Sequence, residues 1–293
     1  MKLCVIGKNS FIAKNLDADV KLSREECDLL NFKQTLEALA RTKPTAIINC
    51  AAKHGSFEEM SKNHVSFYEV NMLMNINLLR AAHELDIDNV LLLGSISSFP
   101  FDSGENFDES DFYSGPVNEK NFGYNSSKRA LVDLVKSYQL DHSRNFKVVH
   151  LGNIYGPHSS FHANATLVAN LIFRISEAKK LNQDLELYGD GTDIRALTFV
   201  EDLNQIFSSM FQSRDQIEPV IISSKEETSI KELSRGIAEL LDFKGGITFI
   251  GPSNKSTRKV ATSSLLPKLI PGFKFTSLDQ GLKKTVGWWA CNN

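Results

Sequence analysis

The stretch that decides the fold is KLCVIGKNSFIA, residues 2–13. An apolar strand pattern runs directly into a turn at Gly7, and helical spacing follows. A dinucleotide-binding fold needs a tight turn here, so that backbone N–H groups and the start of a helix can face a pyrophosphate. The full fingerprint has three glycines, whereas Ser10 and Ala13 occupy the second and third positions in this chain. The loop alone leaves two interpretations open, cofactor binding and a generic strand–turn–helix.

The alternation of strands and helices continues beyond this stretch. Three further runs are too apolar to have a solvated face: AIINCAA (46–52), NVLLLGS (89–95) and KVVHLGN (147–153). Segments with helical spacing separate the runs: NFKQTLEALART (31–42), FYEVNMLMNINLLRAAHEL (67–85) and YNSSKRALVDLVKSYQL (124–140). Strands buried on both faces belong to parallel sheets that helices cover. The pattern predicts an α/β fold, a Rossmann-type doubly wound parallel sheet with ligands at the carboxyl ends of its strands.

The alternation of apolar strand patterns with helical patterns becomes less regular after about residue 160. We expect residues 1–160 to form the Rossmann domain, joined by a returning segment at about 198–224. Residues 161–293 should form mainly a smaller C-terminal α/β lobe that binds substrate.

Composition excludes several classes of partner. Lysine plus arginine (33) nearly balance aspartate plus glutamate (35), which gives no reason to expect nucleic acid or an anionic membrane. No apolar run approaches the length of a membrane span, and the N-terminus has too few apolar residues for a secretory signal. The cysteines lie far apart and form no CxxC pair, at Cys4, Cys27, Cys50 and Cys291. This spacing indicates a cytoplasmic, reducing setting with no metal site and no disulfide framework.

The second strand predicts which dinucleotide binds. An acidic residue at its end would bind the ribose hydroxyls of NAD, but VKLSREE (20–26) offers Lys21, Ser23 and Arg24 there, and the first loop adds Lys8. Positive charge suits a 2′-phosphate and therefore favours NADP(H). The alternative is a solvated basic turn with no ligand.

Tyr124 and Lys128 are four residues apart on a predicted helix and so share one face. An ammonium beside a tyrosine lowers the phenol pKa, and such a tyrosine can donate a proton to a carbonyl as hydride arrives. Alone, the YxxxK spacing more often marks a packed tyrosine beside a surface lysine. Within an α/β chain, on the helix after a strand that ends in Ser95, it predicts catalysis.

Together these features resemble the extended short-chain dehydrogenase/reductases, and in particular their GDP-L-fucose synthase branch. The segments that carry the resemblance span nearly the whole chain: NFGYNSSKRAL (121–131), NIYGPHSSFH (153–162), LYGDGTDIRALTFVEDL (187–203) and STRKVATS (256–263). The resemblance implies an NADPH-dependent reduction of a nucleotide-linked 4-keto sugar, in which Ser95 hydrogen-bonds the keto oxygen beside Tyr124.

The resemblance also implies binding residues. Those for the cofactor are Gly7, Ser10, Phe11, Ile12, Arg24, Asp28, Leu29, Ala51, Ala52, Lys53, Tyr124, Lys128 and Asn153. Those for the sugar nucleotide are Ser95, Ser97, Asn153, Arg174, Tyr188, Arg195 and Lys259. Among these, Arg174 and Arg195 would bind the diphosphate, Tyr188 would stack on the base, and Lys259 would be a late basic contact.

Departures from the family pattern set the expected reaction. Related dehydratases have aspartate and glutamate where this chain has Ile96 and Ser97. The cysteine and histidine that epimerise in the GDP-L-fucose synthase branch would fall at Ser97 and near Thr166. A thiol titrates near ~8.5 and an imidazole near ~6.5, whereas a hydroxyl stays protonated at neutral pH. We expect reduction at C4 without epimerisation at C3 or C5.

Other hypotheses remain open. The chain could be a complete 3,5-epimerase/4-reductase that uses His158 or His162, or a catalytically silent binding protein on the same scaffold. The long helical segments 67–85 and 124–140 carry more apolar residues than one sheet face needs, which predicts a homodimer through a four-helix interface, as in the family. The exact sugar, hexose or heptose, stays open.

Overall fold

The chain alternates strands and helices along most of its length. The structure is a computed structural model and describes residues 1–102, 104–213, 219–251 and 258–293. The strands in these ranges are β1 (Leu3–Ile6), β2 (Val20–Leu22), β3 (Ala46–Asn49), β4 (Asn89–Ser95), β5 (Asn106–Phe107), β6 (Asn145–Leu151), β7 (Asn153–Tyr155), β8 (Leu185–Tyr188), β9 (Ile194–Phe199), β10 (Val220–Ile222), β11 (Glu227–Ser229), β12 (Ile247–Ile250) and β13 (Arg258–Ala261). The α-helices there are α1 (Phe11–Asn15), α2 (Phe32–Thr42), α3 (Phe57–Lys62), α4 (His64–Glu84), α5 (Phe122–His142), α6 (Leu167–Leu181), α7 (Asp202–Gln212), α8 (Ile230–Leu240), α9 (Leu266–Leu269) and α10 (Leu278–Asn292).

A parallel sheet with the strand order β10-β6-β4-β3-β1-β2 forms the centre of the described structure. Successive residues of a strand face opposite sides, and apolar side chains cover both sides of this sheet. Leu92 of β4 packs in one cluster with Leu78 of α4, whereas its neighbour Leu91 packs in another with Phe207 of α7. The predicted Rossmann-type α/β class is therefore confirmed, and the apolar runs are buried on both faces for the expected reason.

The strand order reverses at β1, which lies between β2 and β3. In a doubly wound sheet this switch point opens a crevice for ligands. Gly7 follows β1 with a φ of 90°, and a Cβ there would lie 2.7 Å from the backbone nitrogen of Ala51, which follows β3. Only glycine allows the two strand ends to approach this closely.

A second sheet lies next to the central one. Strand β9 pairs with β11, β13 and β7, and β13 in turn pairs with β5. Helices α6, α8 and α10 cover a third apolar cluster that contains Ile172, Phe199 and Ile237. Strands β5 and β7 fall within residues 1–160 yet pair with this sheet, whereas β10 returns to the central sheet beside β6. The proposed division at residue 160 stays a prediction.

Helix α4 carries an apolar face that the described chain does not cover. Val65, Tyr68, Leu73 and Ile76 are each at least 38% exposed and lie within about 140° of one another around the helix. The opposite face, with Leu78, packs against α5 and the central sheet. Among the described residues, none of the helices has the length and apolar character that crossing a membrane requires.

We predict that this α4 face forms a homodimer interface, and that Ile76→Glu converts the dimer to a monomer, because the interface would bury an unpaired carboxylate. Light scattering at micromolar concentration checks the mass of each variant. The control is Lys33→Glu on α2, which also changes an exposed residue but should leave the dimer intact. A monomeric wild-type protein would contradict the prediction.

Candidate active site

A cavity of about 770 Å³ lies at the carboxyl edge of the central sheet. Its lining includes the three residues predicted to be catalytic, namely Ser95 at the end of β4 and Tyr124 and Lys128 on α5. Other side chains that line it are Ser10, Phe11, Ile12, Cys50, Ala52, His54, Glu59, His162 and Thr166. The end of the strand and one face of the helix therefore meet where a doubly wound sheet places its ligands.

Lys128 is buried and joins the helix to the strand. Its Nζ donates a hydrogen bond of 2.8 Å to the carbonyl oxygen of Leu93 and lies 5.7 Å from the centre of the Tyr124 ring. Burial lowers the pKa of Lys128 to about 8, because an ammonium loses hydration inside the protein. The pKa of this group therefore lies close to neutrality.

The predicted direction of the Tyr124 pKa is wrong for this structure. Burial raises the pKa of Tyr124 to about 12 instead of lowering it, because the phenolate would be desolvated. The Lys128 ammonium is directed at the Leu93 carbonyl. Tyr124 is accordingly a neutral phenol, the protonation state that a proton donor needs.

A close approach of two helices sets the position of Tyr124. Gly123 lies in the first turn of α5, and a Cβ there would lie 1.9 Å from the carbonyl oxygen of His64 at the start of α4. No other residue fits, because the obstacle is backbone. Gly123 thus lets the helix bring Tyr124 into the cavity.

A tight turn after β4 presents Ser95. The hydroxyl oxygen of Ser95 accepts a hydrogen bond from the backbone N–H of Ser97 and lies 2.9 Å from the Ser97 hydroxyl. The side chain of Ile96 packs against the aromatic cluster of Phe99, Phe107 and Phe112. With one lone pair bound by Ser97, the Ser95 hydroxyl still has a proton that it can donate to a substrate oxygen. Ile96 acts here as an apolar anchor.

Buried asparagines of α4 fix the loop after β3, which lines the other side of the cavity. Asn75 accepts a hydrogen bond from the side chain of Asn49, whose own oxygen accepts from the N–H of Ala51. Asn71 accepts from the N–H of Lys53 at 2.8 Å. Such buried, satisfied amides hold the loop in one conformation.

Most of the predicted cofactor residues line a second cavity of about 510 Å³ beside the first. The predicted residues in it are Gly7, Ser10, Arg24, Asp28, Leu29, Ala51, Ala52 and Lys53. Ser10, Cys50 and Ala52 border both cavities, which makes them neighbours along one crevice. The predicted residues Phe11 and Ile12 line the catalytic side.

These residues fit a dinucleotide. Gly7 lets the ends of β1 and β3 approach each other at the edge of the crevice, and Ser10 caps the short helix α1 by accepting from the N–H of Ala13 at 3.3 Å. At this turn the N–H groups of Gly7 and Lys8 donate to the carbonyl oxygen of Leu22, so a pyrophosphate would instead face the start of α1 at Phe11 and Ile12. Arg24 lies at the far end of the crevice, 3.7 Å from the carboxylate of Asp28, and is mostly exposed. The cofactor roles of these residues stay predictions.

Several predicted substrate residues lie outside the lining of both cavities. The side chain of Asn153 donates to the carbonyl oxygen of Ala196, although the neighbouring Gly152 and Ile154 border the catalytic cavity. Arg174 of α6 donates to the carbonyl oxygen of Glu186 at 2.6 Å.

Three further predicted substrate residues lie in the C-terminal half of the chain, on strands outside the central sheet. Arg195 of β9 pairs with Asp193 at 3.2 Å, and Tyr188 at the end of β8 is 77% exposed. In β13 the backbone of Lys259 pairs with that of Arg195 in β9. The side chain of Lys259 is not among the parts of the chain that the structure describes. All these roles remain predictions.

Two titratable residues that the sequence did not predict, His54 and Glu59, also line the cavity. The ring of His54 meets the Tyr124 ring edge-on with 5.5 Å between their centres, and burial lowers the pKa of its imidazole. The position of His54 shortly after β3 could have indicated this role, since ligands bind at the carboxyl ends of parallel strands. Of the two histidines kept as alternatives, His162 lines the cavity, whereas His158 packs on Trp288 outside the lining. The described residues contain no cluster of side chains suited to a metal ion.

The chain belongs to the NAD dependent epimerase/dehydratase family, whose model matches residues 4–222. It is 29% identical over 283 residues to the GDP-L-fucose synthase of Dictyostelium discoideum. The aligned region covers 95% of this chain and 88% of that protein. The family is therefore confirmed, as is the similarity to GDP-L-fucose synthases that the sequence motifs indicate.

Solved structures share the fold. The GDP-L-fucose synthetase of Naegleria fowleri bound to NADP superposes with a TM-score of 0.89 at 24% identity, over 99% of this chain and 92% of that chain. The GDP-mannoheptose C4 reductase of Campylobacter jejuni with NADP bound gives a TM-score of 0.87 at 18% identity, over 98% of both chains.

We predict that kcat/KM for reduction falls as the pH rises through about 8, the pKa of Lys128. Above that pH the lysine loses the charge that would stabilise a Tyr124 phenolate once the proton has been donated. A pH–rate profile measures the decline, and Lys128→Arg should move it to higher pH because a guanidinium stays charged. Lys120→Arg, away from the cavity, is the control. An unchanged decline in Lys128→Arg would contradict the assignment.

Proposed function

We propose that this chain is an NADPH-dependent reductase that reduces the C4 keto group of a GDP-linked 4-keto-6-deoxy sugar, hexose or heptose, without epimerising C3 or C5. The proposal rests on one observation: Ser95, Tyr124 and Lys128 line one cavity, and most of the predicted cofactor residues line the cavity beside it. The protein would work in the cytoplasm as a homodimer.

Each of the three residues has a distinct task. NADPH, when held by the residues of the second cavity, would supply the hydride for C4 of the sugar. The Ser95 hydroxyl donates a hydrogen bond to the C4 oxygen and orients it. Tyr124 gives its phenolic proton to that oxygen as negative charge develops there, and the Lys128 ammonium stabilises the resulting phenolate. The products are a C4 alcohol and the oxidised cofactor.

The names of the relatives support the substrate class. They include a GDP-L-fucose synthase, a GDP-L-colitose synthase from Yersinia pseudotuberculosis and a GDP-mannoheptose C4 reductase, all of which name GDP-linked sugars. The basic residues Lys8, Lys21 and Arg24 near the end of β2 support a 2′-phosphate and hence NADPH. The diphosphate and base contacts of Arg174, Arg195, Tyr188 and Lys259 belong to this proposal.

The absence of epimerisation rests on the side chains beside the catalytic serine. Ser97 bonds the Ser95 hydroxyl, and Thr166 lines the cavity, so that neither place holds a group that titrates near neutrality. Cys50 also lines the cavity, but burial raises the pKa of its thiol to about 12, and a neutral thiol is a poor base. The presence of His54 and His162 favours the second candidate, a complete epimerase/reductase.

We predict that Tyr124→Phe lowers kcat for NADPH oxidation about 10²-fold or more and leaves NADPH affinity nearly unchanged, because the ring still packs while the proton donor is gone. The assay uses GDP-4-keto-6-deoxymannose and related 4-keto GDP-sugars, and calorimetry measures the affinity. Tyr113→Phe, outside the lining of the catalytic cavity, is the matched control. No NADPH oxidation by the wild type with any sugar of the panel would support the silent binding protein instead.

Isotope exchange separates the two enzymatic candidates. An epimerase must remove the protons next to the keto group, so it would introduce deuterium from D₂O at C3 or C5 even without NADPH. We predict no exchange beyond the uncatalysed rate, and a product with the C3 and C5 configuration of the substrate, both read by NMR. Enzyme-dependent deuterium that disappears in His54→Gln or His162→Gln would establish the epimerase.

A further inference from the structure

A histidine without solvent exposure lies directly behind the catalytic serine. His150 is on β6 opposite Gly94 of β4, the residue before Ser95. A Cβ at Gly94 would lie 2.6 Å from the Nδ1 atom of His150, so that the imidazole occupies the space where a side chain at position 94 would be. The ring of His150 also packs against Phe99 and Phe112, with 5.3 and 4.9 Å between centres.

The hydrogen bonds of His150 assign its proton to Nδ1. Nδ1 lies 3.1 Å from the carbonyl oxygen of Ser95 and 3.1 Å from the hydroxyl of Ser98, which itself donates to that carbonyl. A bare Nδ1 would turn a lone pair towards the carbonyl oxygen, which is repulsive. Burial lowers the pKa of His150 to about 3, so the ring is neutral and has one N–H.

The other ring nitrogen, Nε2, is buried and has no hydrogen-bond partner among the described residues. An apolar side chain would fill the same space between Phe99 and Phe112 without leaving a buried acceptor unpaired. Packing alone therefore does not explain why position 150 is a histidine. The hydrogen bond from the imidazole to the Ser95 carbonyl does explain it.

We propose that His150 is a positioning residue that fixes the catalytic Ser95 through its backbone carbonyl. Ser95 is then bound at both ends. Its carbonyl accepts from His150 and Ser98, and its hydroxyl oxygen accepts from the N–H of Ser97. These bonds fix the Ser95 oxygen beside the cavity, from which its hydroxyl can donate to a substrate oxygen, and a fixed donor is a condition for stabilising negative charge as it develops.

The kinetic test rests on the proposed reductase function. His150→Met removes the N–H but fills the volume, and His150→Asn keeps a side-chain donor close to the place of Nδ1. We expect His150→Met to lower kcat about tenfold with KM changed less than about threefold, since the bond acts in the transition state. His150→Asn should regain most of that loss.

A double-mutant cycle distinguishes positioning from a general loss of structure. In a Ser95→Ala background, His150→Met should cause no further loss of kcat, because the residue that it positions is gone. Phe107→Leu, in the same aromatic cluster but without a bond to Ser95, is the control and should lower the melting temperature while kcat is unchanged. Additive losses in the cycle, or equal losses in His150→Met and His150→Asn, would overturn the proposal. If His150→Met does not fold, Ser98→Ala takes its place in the cycle, because Ser98 donates to the same Ser95 carbonyl.

A second measurement needs no turnover. Nitrogen-15 NMR of the histidine rings in the wild type should show His150 protonated at Nδ1, with no titration between about pH 5 and 9. A ring protonated at Nε2, or one that titrates in this range, would overturn the role of His150 whether or not the enzyme reduces a sugar. A wild type with the Nδ1 tautomer but without reductase activity would contradict the proposed function alone.

Discussion

The hydrogen bond from the Lys128 ammonium to the Leu93 carbonyl determines the geometry of the site. A buried ammonium needs a partner, because an uncompensated charge inside a protein is costly. The available partner is a carbonyl near the end of β4, and the bond therefore fixes helix α5 against the strand that carries Ser95. Tyr124, one helical turn before Lys128, is placed by the same bond. The position of the proton donor relative to the serine therefore follows in part from where this buried lysine finds a hydrogen-bond acceptor, together with the close approach of helices at Gly123.

The fold could be read from the sequence because it depends on patterns that burial enforces. Apolar runs such as 89–95 predict strands covered on both faces, and Leu91 and Leu92 indeed pack into clusters on opposite sides of the sheet. The pairing of β5 with β13 could not be read, since a strand of two residues has no periodicity and its partner lies far away in the sequence. Tertiary contacts of this kind determine which sheet a short segment joins.

The candidate site was only partly predictable, for a physical reason. The spacing of Tyr124 and Lys128 identifies a shared helix face, but the pKa of each group depends on desolvation, which the sequence does not show. The prediction of a lowered Tyr124 pKa failed at this point, since burial raises it to about 12. His54 was missed for a related reason, because its contact with Tyr124 depends on how the asparagines of α4 hold the loop after β3.

The turn after β4 shows how the chain can lose one chemistry and keep another. Its bonds join backbone groups to residues outside the cavity: Arg129 donates to the Ser98 carbonyl at 2.8 Å, and His150 lies behind the Ser95 carbonyl. None of these bonds uses the side chain at position 96 or the hydroxyl at position 97. When either side chain changes, Ser95 keeps these backbone bonds, although a change at Ser97 removes the contact between the two hydroxyls. A scaffold of this kind can lose acid–base groups beside the catalytic serine while the serine, the tyrosine and the lysine keep the geometry that reduction requires.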